Sequence, residues 1–397
     1  MHTAVGRKSF FVAFLSFFCK LSGLSVVFEG ICALVRVTIR SIAGAGNKTR
    51  LAVFGFVWLA FFAGCGGQWR GFGHHCPSPR WRKGYYATAT PGTVFLGLED
   101  LGIHGASEQN GIVYTCRAGH IDIAHTRKAA DWSAFLAERT YESLMHNRKE
   151  FTFKLLEPSV YFVSLSYPPD WKNRSREQRK AAAAAVAAEL GQYFSYTALT
   201  WHEILTWFGY RITKIYSEFP SSFSWEDQIS NALGTYVAGL AMSSPERDFN
   251  KAVTAALNFE LVRLGIQPAN IAREASEKVR GRWYSGGLYF FVDISKRNPD
   301  IGLADGRIDP FLVPDLAGCE GVPPEPYAVP HNNVSGHGFS AELRIEPREI
   351  VRDRILSIIS ASGLIRRIDP DIHFAEIIKY IRMDAAWRYG PGACEPH

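Results

Sequence analysis

The sequence predicts an α+β fold: a predominantly helical single domain with small antiparallel strand elements. Three observations predict it. The stretch from Ser175 to Trp207 opens on a Ser175–Gln178 capping box, continues through an alanine run and ends in dense aromatics, a pattern that favours a long packed helix. Short β-prone runs precede it at Thr93–Leu98, Gly111–Cys116, Phe151–Leu156 and Val160–Ser166, the last two joined by the turn-like Glu157-Pro158-Ser159. Beyond Ser224, apolar residues such as Ile229, Leu233, Val237 and Leu240 recur at helical spacing.

Ahead of the domain, Lys48-Thr49-Arg50 is followed by a fourteen-residue apolar run and then Cys65-Gly66-Gly67. A basic region, an apolar stretch shorter than the roughly 20 residues of a spanning helix, and small residues before a cut mark an export signal. Phe62-Ala63-Gly64-Cys65 is similar to a lipobox, with Phe62 where an aliphatic residue is usual. Cys65 is therefore the expected lipidation site, and residues 1–64 the leader. Within it, residues 1–46 are expected to reflect a start placed too far upstream. Residues 65–84 read as a lipidated tether, and 85–397 as the globular domain.

Charge agrees with that division. The net +6 of the 397 residues comes from the leader, which holds seven of the 44 Lys/Arg and one of the 38 acids. Residues 65–397 keep 37 of each. This neutral body lacks the electrostatic footprint of a nucleic-acid binder. Outside the leader and Cys65, four cysteines remain (Cys76, Cys116, Cys319, Cys394), and three disulfide pairings stay open. A compartment reached by export permits them.

Within the domain, a helix is expected from about Asp122 to Met145. Further helices are expected opening at Ser224 and at Pro245–Leu264, Pro268–Arg280, Pro347–Ser360 and Pro370–Met383. Strands are expected at Gly287–Ile294 and Ala341–Ile345, with a long loop at Asn298–Pro330.

The chemistry-bearing stretch is Tyr114–Trp132, YTCRAGHIDIAHTRKAADW. Asp122 and His125 fall i,i+3 on one helical face. Glu203 lies among Trp201, Ile204, Leu205, Trp207 and Phe208, where a buried carboxylate needs a proton, a cation or a metal. One expectation joins them: His120, Asp122, His125 and Glu203 hold a single divalent metal, zinc first, that activates water for hydrolysis. Glu203, Asp227 and Arg127 are the candidate catalytic residues. Asp227, or Asn231 one turn later, would orient a histidine or substrate, unless Asp227 is spent as the cap partner of Ser224. Arg127 would grip an anionic group. The plainer reading makes Asp122 and His125 a capping pair and salt-bridges Glu203 to Arg127. A third uses Cys116 as nucleophile with His120 or His125 as base, although Cys116 also fits half of a disulfide. A fourth has no catalysis, only a periplasmic binding or scaffold lipoprotein.

YTCRAGHIDIAHTRKAADW, HEILTWFGY (His202–Tyr210) and FSWEDQISNALGTY (Phe223–Tyr236) together resemble the bacterial lipoprotein family catalogued as domain of unknown function 4056. The resemblance covers most of the body from about residue 85. It implies an exported protein, lipid-anchored to an envelope membrane and facing the periplasm, and brings no activity. The resulting expectation is an envelope lipoprotein acting as a metal-dependent hydrolase on an unknown envelope or phospho-ester substrate.

Overall fold

The computed structural model describes residues 88–211, 218–286, 292–360 and 363–396. The leader, Cys65, the tether and Cys76 lie outside these residues, as does the 287–291 part of the expected strand.

The first predicted strand, Thr93–Leu98, forms only isolated bridges, Phe95 pairing with Ile112, and runs into a single 3-10 turn at Leu98–Asp100. The next run is a strand, β1 (Ile112–Thr115). It pairs antiparallel with β2 (Gly119–Asp122), so the expected handover to a helix is itself half of a hairpin. Gly119 makes the turn possible: its φ is +70°, and a Cβ there would stand 2.3 Å from the Phe311 carbonyl oxygen. The helix α1 (Ile123–Met145) begins one residue later than predicted because Asp122 is its N-cap, accepting from Ala124 N and His125 N.

β3 (Glu150–Phe153) and β4 (Val160–Ser166) pair antiparallel around the predicted Glu157-Pro158-Ser159 turn. α2 (Arg176–Trp207) carries the predicted Ser175–Gln178 capping box. α3 (Asp227–Ser243), α4 (Phe249–Arg263) and α5 (Ala269–Val279) follow. Of the predicted α3 stripe, Ile229, Leu233 and Val237 are buried, whereas Leu240 is exposed. The long 298–330 loop and its flanks contain two-residue strands: β5 (Tyr284–Ser285) pairs with β6 (Asp293–Ile294), and β7 (Arg307–Ile308) with β8 (Tyr327–Ala328). β9 (Ser340–Glu346) then returns to β4, completing a three-stranded sheet in the order β3-β4-β9. α6 (Arg352–Ile359) and α7 (Pro370–Tyr389) close the chain, Asp369 capping the latter.

One apolar cluster fills the space between α2, the β3-β4-β9 sheet and α6–α7, with Trp201, Phe194, Tyr161 and Ile377 at its centre. A second lies among α1, α3 and α4. At about 1.5–3 kcal/mol for each large side chain removed from water, these layers dominate the stability. Among the described residues no helix is long and apolar enough to cross a membrane.

Helices α1, α2 and α3 meet at close quarters, because small residues face each other. A Cβ on Gly234 would lie 2.1 Å from Thr126 O of α1, and one on Gly191 would lie 2.4 Å from Ser133 O. Ser195 Oγ donates to Ala129 O at 3.0 Å, and Gly239 faces the Gln192 side chain. These contacts fix the register: α3 runs alongside α1, and α2 runs opposite to both. The N-terminal ends of α1 and α3 therefore meet the C-terminal end of α2.

Candidate functional site

That meeting point collects the acids and imidazoles that the sequence singled out. Asp122 Oδ1 accepts from Ala124 N (2.6 Å) and His125 N (3.2 Å), while its Oδ2 stands 2.5 Å from His125 Nδ1. The backbone N of Asp122 donates to Ser230 Oγ at 2.9 Å, tying the cap to α3. Asp122 is thus both helix cap and orienting partner of His125. That contact occupies Nδ1 and leaves Nε2 with no hydrogen-bond partner among the described residues.

Glu203 and Asp227 come together through the backbone between their helices. Phe223 N donates to Glu203 Oε2 at 2.9 Å, and the next amide, Ser224 N, donates to Asp227 Oδ2 at 2.8 Å. The two carboxylates hang from successive peptide groups, each with one oxygen anchored and the other without a described partner. Both residues are buried, at 4 % and 3 % exposure. Phe223 holds a φ of +51°, unusual for a residue with a side chain. Burial holds the Asp227 carboxyl well above the usual carboxylate range, and the charges of Glu203, Glu226 and Asp122 add to the effect. Glu226 is pushed up to about 7, chiefly by burial with a contribution from Asp122; its Oε1 accepts from Ala89 N at 2.8 Å.

His120 is held by a neighbour of this pair, Trp225. Its Nδ1 accepts from Trp225 Nε1 at 3.2 Å, and its ring lies edge-on to Tyr114. Burial pushes its pKa down to about 3, so the ring is neutral. The predicted set His120, Asp122, His125 and Glu203 is therefore not assembled as one donor cage. Among the described residues no group of three or more His, Cys, Asp or Glu is arranged to hold a metal ion.

Arg127 corrects two expectations. Its guanidinium donates to Leu101 O (2.6 Å) and Gln109 O (3.2 Å) and lies 3.5 Å from Glu108, on the side of α1 facing the 101–109 loop. It neither salt-bridges Glu203 nor reaches the Glu203–Asp227 pair, because its place on α1 points it toward that loop. Cys116 is disulfide-bonded to Cys319, which settles one of the open pairings and removes Cys116 as a nucleophile. Among the described residues Cys394 has no disulfide partner.

Sequence inspection missed a second dyad, Glu157 Oε1 with His202 Nδ1 at 2.8 Å. Burial alone would neutralise both groups. Their mutual hydrogen bond and attraction outweigh it, leaving Glu157 lowered and His202 raised. No local pattern announces this pair, since its members lie on a loop and a helix 45 residues apart. Glu226 was missed too, although its place beside Asp227 in a buried turn was a signal.

Residues 92–287 match the model of the family described as Protein of unknown function (DUF4056). The matched segment is similar to that family. It spans β1 to β5 and includes Asp122, His125, Glu157, His202, Glu203, Asp227 and Asn231. It ends before Cys319, β9, α6 and α7, and so covers less of the body than the sequence resemblance suggested. Comparison with curated proteins and with solved structures gives no significant match.

Proposed function

We propose that the chain is an exported envelope lipoprotein, anchored through Cys65 and facing the periplasm, that hydrolyses an envelope substrate at the Glu203–Asp227 pair. The address is supported by the leader pattern and by the Cys116–Cys319 disulfide, a bond that persists in oxidising compartments. The hydrolytic reading is carried by one observation: two buried carboxylates anchored on the successive amides of Phe223 and Ser224, each with an oxygen to spare.

Two carboxyls in such a setting divide the work of acid and base. Asp227, whose carboxyl burial holds well above the usual carboxylate range, gives its proton to the departing group as the scissile bond breaks. Glu203 takes a proton from the water whose oxygen forms the new bond. The proton gained by Glu203 and the one lost by Asp227 balance over the turnover, and exchange with solvent resets the pair. His125, fixed by Asp122, supplies a nearby imidazole for that exchange.

A second reading retains the divalent cation expected from the sequence and seats it on the same two free carboxylate oxygens. The crowding of four buried acids favours it, since buried charge seeks a counter-charge. A site of two carboxylates suits magnesium or manganese better than zinc.

The test is hydrolysis of p-nitrophenyl acetate, a p-nitroanilide peptide and bis(p-nitrophenyl) phosphate by wild type, Asp227→Asn and Glu203→Gln. Metal analysis would accompany it, on protein purified without chelator or tag histidines. A fall of about 10²–10⁴-fold in both variants is expected for lost acid–base catalysis. About one equivalent of metal, lost in Glu203→Gln, selects the second reading. Activity unchanged by both substitutions sinks the hydrolase and leaves a binding or scaffold lipoprotein.

A further inference from the structure

Gln228 and Asn231 are fully buried on α3, and none of their four amide atoms has a hydrogen-bond partner among the described residues. Buried carboxamides without partners are rare in folded proteins, and each such group calls for a missing donor or acceptor. Their direction follows from the helix contacts. Gly234 faces α1 and Gly239 faces α2. At about 100° per residue, Asp227, Asn231 and Gln228 stand roughly 20°, 60° and 120° round from Gly234, and Gly239 about 140°. All three side chains therefore point into the space between α1 and α2, where the Glu203–Asp227 pair sits.

From this geometry we infer that Gln228 and Asn231 are the recognition half of the site and read an amide group on the ligand. The inference rests on the hydrolytic reading only for what happens after binding. A phosphate or carboxylate would bring acceptors alone, beside the acids Glu203 and Asp227, and Arg127 is spent on the Leu101 and Gln109 carbonyls. A cation would serve the two amide oxygens and leave both NH2 groups unpaired. A ligand amide offers a C=O and an N–H side by side, which matches the paired acceptor and donor of each carboxamide. Both a peptide and an N-acyl sugar carry that group.

The experiment is saturation-transfer NMR on the full chain in mild detergent, with acetyl-alanyl-alaninamide and N-acetylglucosamine as probes and glucose as the amide-free control. Asn231→Leu and Gln228→Met remove the polar atoms at similar volume, and their melting temperatures are measured alongside. At least one amide probe is expected to bind, identifying the source, while glucose does not. Each variant is expected to weaken that binding tenfold or more while melting at or above the wild-type temperature, because an unpaired buried amide has been replaced by an apolar group. Three results overturn the inference: neither amide probe binds, glucose binds equally, or the variants melt lower with binding intact, which marks amides satisfied by internal water. Binding is read without turnover. A chain that binds an amide yet hydrolyses nothing removes the hydrolase and leaves this site standing.

Discussion

Glu226 has no exposed surface, and among the described residues only one of its two carboxyl oxygens has a hydrogen-bond partner within reach, the Ala89 amide. Its carboxyl is pushed up from 4.5 to about 7 by burial, so the folded chain holds a proton that the unfolded chain releases. The stability contributed by that proton is fully present below 4.5 and is lost as pH rises through about 7. At 1.36 kcal/mol per unit, the loss is on the order of 3 kcal/mol. Glu226→Gln keeps the acceptor for Ala89 N and cannot ionise. Urea midpoints taken from pH 4.5 to 8 should fall for wild type and stay flatter for the variant; parallel curves would mean that Glu226 is ionised throughout. At this scale, local contacts were legible. Asp122–His125 is an i,i+3 pair, and Ser224–Asp227 is a turn closed within four residues. The partners of Arg127 and Glu157 were not, because carbonyls at 101 and 109 and an imidazole 45 residues away leave no mark on nearby sequence.

Between elements, the site depends on how closely three helices approach. On propensity alone, Gly234 and Gly191 weaken their helices, each by about 1 kcal/mol relative to alanine. Their use is in packing, since at both positions the neighbour is backbone: Thr126 O at 2.1 Å and Ser133 O at 2.4 Å from an added Cβ. Gly234→Ala and Gly191→Ala should therefore lower stability by about 1–3 kcal/mol despite the better propensity. Gly239→Ala meets only the end of the Gln192 side chain, which can swing aside, and should be neutral or stabilising. Urea denaturation of the three variants checks the contrast, and equal midpoints would remove the close-approach argument. His202→Ala probes a different join, the β3–β4 loop against α2. Stranding Glu157 without its partner should cost about 3–5 kcal/mol by the same measurement. Helix existence was legible throughout from caps and periodicity. The β2 strand was not, because Gly119–Asp122 is too short to show alternation and is set by pairing with β1.

Across the molecule, parts distant in the chain are brought together by interactions that local pattern cannot announce. β9 joins β4 after most of the helices have intervened. The disulfide closes a loop of 203 residues, fastening the β1–β2 hairpin to the 298–330 loop, whose Val313 N donates to Tyr114 OH at 3.0 Å. Four cysteines and three possible pairings left that choice open in the sequence; only the fold places Cys116 beside Cys319. In a chain-entropy account, a loop of this length removes about 5 kcal/mol of freedom from the unfolded chain. Wild-type protein should therefore lose much of its urea resistance when dithiothreitol is added. The Cys116→Ser, Cys319→Ser double variant should start from that weakened level and ignore the reductant. If instead oxidised and reduced protein unfold at the same urea concentration, the covalent tie is redundant with the loop's packing on Tyr114 and Gly119. The proposed envelope address would be untouched, because it draws on the presence of the bond and not on its contribution to stability.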